Sequence, residues 1–209
     1  MHLIRSATEA EMVAAFLKAE LHSARFGPWL AGLLGRFGLS RATLTTPDVE
    51  DAEENERRAR LLDEARGWRR GALLFRGWPS GVTWSLITIE REDVPRLRYA
   101  AMREWTVLSL GTRLPKVVAE RIRTGDPTVP EDEKVKSIIA VAAAIRAGAT
   151  YPPAITVGSP TKERIVLVEG HVRVTAHLLA GFPSPFPVIY GAAPLTQLVS
   201  WVLYPVDDF

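Results

Sequence analysis

The stretch Arg164-Ile165-Val166-Leu167-Val168-Glu169-Gly170-His171-Val172-Arg173-Val174-Thr175-Ala176-His177 decides how this chain folds. An apolar run without alternation is a strand buried on both faces. It ends at Gly170, where a Cβ would obstruct either the backbone or a ligand. From His171 the pattern turns helical and runs to Ala180, closed by Gly181. Such a helix points unpaired amides and the positive end of its dipole into the turn. Arg173 falls on the first helical turn, where its fork can bridge two anionic oxygens. Together these parts make an anion site.

Upstream, Ala154 to Val157 reads as a second strand, and downstream Phe186 to Tyr190 reads as a third. Glu131 to Ala147 is a helix with acids at its start, Val135, Ile138, Ile139, Ala142 and Ile145 on one face, and Gly148 at its end. Leu114 to Arg123 is a shorter helix, stopped by Gly125-Asp126-Pro127. Asp93 and Pro95 are expected to start a helix that carries Leu97 to Trp105. Val82 to Glu90 is a strand after the turn Gly77-Trp78-Pro79-Ser80-Gly81, and the boundary between two lobes is placed there.

Residues 1–81 read as helical. Thr8 and Glu11 make a capping box ahead of the stripe Met12, Val13, Phe16, Leu17, Leu21. Phe26 to Phe37 carries apolar residues at helical spacing, which suits buried packing better than a membrane or partner face. Pro47 to Arg66 orders acids before arginines, in accord with the helix dipole. The basic cluster Arg66, Arg69, Arg70 beside Trp68 is read as a solvated helix end rather than a nucleic-acid contact. The expected class is α/β in the α+β sense: residues 82–209 form a core with a C-terminal extension, its small mixed sheet flanked by helices over about Val82 to Gly191, and residues 1–81 form a helix-rich N-terminal addition.

The run Val168 to Ala176, with Gly181 closing its helix, resembles the Gly-x-x-Arg-x-x-Ala box of the ParB/sulfiredoxin-like superfamily. It is most similar to the acidic-Gly-His-His-Arg form of that superfamily's nucleotide-dependent free-serine kinases. The resemblance spans about Val82 to Gly191, roughly half the chain, with the strand from Val82 as the superfamily's first. It implies that Gly170, His171 and Arg173 hold the phosphates of ATP or a related nucleotide, with Mg²⁺ carried by that nucleotide. Glu169 would act as base or meet the magnesium; its other reading is a partner for Arg173. The loop Ser109-Leu110-Gly111-Thr112-Arg113 occupies the region that closes over the ligand in the family. Arg113 would then meet substrate or the γ-phosphate and Thr112 donate a hydrogen bond; otherwise this is a loop with a satisfied arginine. Glu104, beside Trp105, is a weaker second acid.

The departures are specific. Val172 stands where the kinase form has its second histidine. Sulfiredoxins carry their catalytic cysteine at the position of His171, and this chain has no cysteine, so sulfinic-acid reduction, disulfides and zinc–thiolate sites are excluded. Only residues 182–209 follow Gly181, which does not suit a full partition protein with its DNA-binding and dimerisation regions.

The net charge of +2 is too small to imply a polyanion partner, and specific DNA binding is not expected. Met1 to Ser6 runs towards a charged helix rather than an apolar signal core, and no apolar run approaches a membrane span. The expectation is a cytoplasmic protein that phosphorylates, or otherwise activates, a small molecule with a nucleotide. The competing class is a non-enzymatic, nucleotide-gated module that binds DNA or protein. His177 lies about 240° round the helix from His171, so the two histidines cannot share a metal from one face.

Overall fold

The computed structural model describes residues 1–23 and 26–201; residues 202–209, part of the expected C-terminal extension, lie outside that range. Six strands form one mixed sheet: β1 (His2–Ser6), β2 (Thr83–Ile89), β3 (Leu97–Tyr99), β4 (Ala154–Gly158), β5 (Ile165–Glu169) and β6 (Phe186–Ala192). Their order across the sheet is β1-β2-β6-β4-β5-β3. The β4/β6 and β3/β5 pairs are parallel and the others antiparallel. The fold is therefore the α+β mixed sheet expected.

Strand β5 is interior, paired to β4 on one side and β3 on the other. Its side chains alternate between two cores, which explains a run with no polar residue. Val166 and Val168 join one core, built from residues of α1 (Glu9–Leu21), α2 (Gly27–Leu33), α3 (Arg41–Thr45) and α4 (Ala52–Arg66). Trp68, Phe75 and Trp201 complete it, with Trp78 packed among them edge-on. Ile165 and Leu167 join the opposite core, under α5 (Arg103–Leu108), α6 (Pro115–Arg123), α7 (Glu133–Arg146) and α8 (His171–Leu179). A final short helix, α9, spans Leu195–Leu198.

The local signals explain most of these boundaries. The Thr8–Glu11 capping box is formed in both directions, and Gly67 ends α4 in the left-handed conformation at φ 74°. The basic cluster is spent on ion pairs: Arg66 on Glu20, Arg69 on Glu56, Arg70 on Asp63, with Trp68 buried. His177 packs on Phe182 and Phe186 and bonds the Ser184 carbonyl.

Two expectations need correction. Residues 2–6, read as a lead-in to the first helix, are an edge strand with every residue exposed; antiparallel pairing with β2 makes it a strand, not its own pattern. The strand expected from Val82 to Glu90 is β2, Thr83–Ile89. The helix expected to carry Leu97 to Trp105 does not exist as one element. Glu90 and Asp93 cap a short 3-10 turn over Arg91–Arg96, with Pro95 inside it. Leu97–Tyr99 then extends as β3 along β5, burying Leu97 and Tyr99, and helix resumes only at Arg103. Sheet pairing outweighs the helix-start signals, which a six-residue turn satisfies.

Candidate functional site

Strand β5 delivers the chain to Gly170, which adopts φ 93°, and α8 begins at the next residue. A Cβ on Gly170 would lie 2.6 Å from the Ala154 Cβ, 3.1 Å from the Ala154 Cα and 3.2 Å from an Arg173 terminal nitrogen. Both the conformation and the space require glycine. No side chain caps α8. Its leading amides are thus left for water or a ligand, as at helix N-termini that hold anions.

Arg173 reaches back over the turn. One terminal nitrogen donates to the Glu169 carboxylate, and the other to the Pro152 carbonyl at 2.5 Å. The Glu169–Arg173 pair is largely but not fully buried, with side chains about 20% and 16% exposed, so a solute can reach it. As folded here, Glu169 holds the fork that an incoming anion would need. Of its two sequence readings, pairing is the one this geometry displays.

His171 faces inward. Its ring stacks on Trp105 at 5.2 Å between centroids and on Tyr99 at 5.7 Å, within 20° of parallel in both cases. The Tyr99 and Trp105 rings stack on each other at 4.6 Å, and Lys134 stands over Trp105. The Tyr99 hydroxyl meets the Thr175 hydroxyl at 2.5 Å, and Thr175 donates to the His171 carbonyl at 2.7 Å. The His171 Nε2 is buried and has no hydrogen-bond partner among the described residues. Burial, then the charges of Arg173 and Lys134, push its pKa down to about 3, so the ring is neutral at physiological pH. Burial likewise pushes the Tyr99 hydroxyl up.

The second loop meets this cluster from below. Arg113 is buried, and its Nε donates to the Tyr99 carbonyl at 3.0 Å. Leu110, Gly111 and Arg113 all take positive φ values, a tight path that the Ser109 hydroxyl braces by accepting from the Arg113 amide at 2.9 Å. Thr112 donates its hydroxyl to the Ser109 carbonyl at 2.7 Å. Arg113 thus meets the cluster through the Tyr99 backbone, while Thr112 closes its own loop. Glu104 lies 3.7 Å from Lys134. Sequence reasoning missed Tyr99 and Thr175. The signal available was a tyrosine beside a buried strand, and it was read as part of a helix.

A cleft of about 530 Å³ lies elsewhere, at the carboxyl end of α8. Nowhere in the described residues do three or more His, Asp or Glu gather as a metal cage, and none of the described helices is long and apolar enough to cross a membrane. Comparison with protein-family models, characterised proteins and solved structures returns no match.

Proposed function

We propose that this chain is a nucleotide-binding protein of the ParB/sulfiredoxin-like kind that holds the phosphates of ATP or a related nucleotide at the start of α8. The observation that carries the reading is an uncapped helix N-terminus after a left-handed glycine, with the Arg173 fork on its first turn. Amides and a guanidinium are donors only, which suits phosphate oxygens and rejects cations. His171 supports the turn from beneath, as a neutral ring stacked in the core, rather than offering a charge.

Phosphate arrival at Arg173 exchanges one anion for another. The incoming phosphate takes the fork, and the Glu169 carboxylate is released beside it. A released carboxylate can take the proton from an acceptor hydroxyl whose oxygen bonds to the γ-phosphorus, as the bond to the bridging oxygen breaks and the nucleoside diphosphate leaves. Magnesium carried by the nucleotide would neutralise phosphate charge, and Glu169 would meet it if it does not serve as the base. A second reading has one observation in its favour. The Glu169–Arg173 pair is closed, and a phosphate that displaced Glu169 would release it as a latch, which a non-enzymatic, nucleotide-gated module also needs.

Calorimetry of two variants, with an assay of nucleotide consumption, separates these readings. Arg173→Ala is expected to abolish nucleotide binding and leave the fold intact; unchanged affinity would place the phosphates elsewhere. Glu169→Gln removes the competing charge, so metal-free nucleotide should bind as well or more tightly while turnover collapses. If wild type binds nucleotide and consumes none, the gated-module reading replaces the enzyme. On the enzyme reading, duplex DNA should bind weakly, without sequence preference, and lose affinity steeply with added salt, measured by fluorescence anisotropy; a nanomolar, sequence-selective complex at physiological salt would favour the gated module instead.

A further inference from the structure

The cleft at the carboxyl end of α8 has a different character from the turn at its other end. The apolar side chains Val94, Val117, Leu178 and Phe182 line it, while Arg91, Lys116 and Arg123 stand around it with a single acid, Glu120. Lys116, Glu120 and Arg123 recur at helical spacing on one face of α6, and Arg91 opposes them from the turn before β3.

Part of this charge has a structural task. Arg91 donates to the carbonyls of Gly181 at 3.0 Å and Phe182 at 2.8 Å, and Arg123 donates to that of Leu178 at 3.0 Å. These bonds satisfy the end of α8 and favour its negative dipole. They do not use up the cations. Arg123 also pairs with Glu120, but neither Arg91 nor Lys116 has a carboxylate within ion-pair distance among the described residues. Arg91 donates through one terminal nitrogen only, so its other donors remain.

We infer that this cleft binds a small organic anion, with an apolar body against Phe182, Leu178 and Val117 and a carboxylate or phosphate head between Arg91 and Lys116. The volume suits a small molecule rather than a polymer, and few polar groups on an apolar lining is the usual make-up of such sites. The head is an anion because two cations face the cleft unneutralised; the body is apolar because the floor is. The inference is independent of the phosphate turn at the other end of α8.

The test uses the full chain labelled with ¹⁵N, titrated with benzoate and octanoate, then with phenyl phosphate, and with benzyl alcohol as the uncharged control. Amide shifts should centre on Arg91, Lys116, Gly181 and Phe182, and at least one anion should bind tenfold or more tightly than the alcohol. Comparison of the acids with the phosphate identifies the head group preferred. Lys116 is exposed, so Lys116→Glu should fold normally and weaken the preferred anion at least tenfold, with little change for the alcohol. Absence of anion binding through the low-millimolar range, equal affinity for the alcohol, shifts centred elsewhere, or an unaffected Lys116→Glu variant would each overturn the assignment.

Discussion

Below about pH 6.5 the protein is expected to lose stability steeply, by roughly 4–5 kcal/mol once the pH reaches about 3, on account of His171 alone. In the unfolded chain this imidazole takes a proton near its ordinary pKa of 6.5, whereas in the fold it resists until about 3. Between those values the unfolded state binds the extra proton, so stability rises with pH across the window and is lost as pH falls through it. The cause is physical: a buried ring stacked against Trp105 and Tyr99, whose Nε2 has no acceptor among the described residues, gains nothing to stabilise a charge. Arg173 and Lys134 add like-charge repulsion. Urea midpoints measured at successive pH values check this. His171→Phe keeps an aromatic ring in the stack and removes the titration, so its stability should fall much less over the same range. His177 is also shifted downward by burial, and it remains in the variant as an internal control. Parallel curves for wild type and His171→Phe would show that the ring is not sequestered as described.

Gly170→Ala should destabilise the fold by about 2–5 kcal/mol. The left-handed backbone costs a residue with a Cβ about 1–2 kcal/mol, and overpacking a filled site adds about 1–3. The overlap is with the Cβ and Cα of Ala154, in a buried strand with little room to give. The double variant Gly170→Ala/Ala154→Gly separates the two contributions, because it removes the Ala154 methyl and leaves the φ strain. A coupling of about 1 kcal/mol or more between the sites is expected from chemical denaturation. If the two substitutions simply add, Ala154 does not confine the turn.

How much of this was legible in advance depends on how local each signal is. The run Ile165 to Val168, the glycine after it and the amphipathic helix beyond are decided by neighbouring residues, and the strand, turn and helix stand where the sequence puts them. The capping box of Thr8 and Glu11 and the end of α4 at Gly67 are of the same kind. The short strands are not. Residues 2–6 and 97–99 become strands because β2 and β5 offer unpaired backbone edges, and no pattern within three to five residues announces that.

The site divides along the same line. The sequence alone determined that Glu169, Gly170, His171 and Arg173 occupy one strand-to-helix turn, since their order and spacing leave them nowhere else to go. Only the tertiary structure decided what each side chain does there. Arg173 closes on Glu169 and the Pro152 carbonyl, while His171 turns inward onto Tyr99 and Trp105, whose distance in sequence hides the contact. Arg113 is tied to the Tyr99 carbonyl instead of facing outward. A side chain's neighbours along the chain set its address, but burial and the partners that fold against it set whether its charge faces a ligand, a counter-ion or the core.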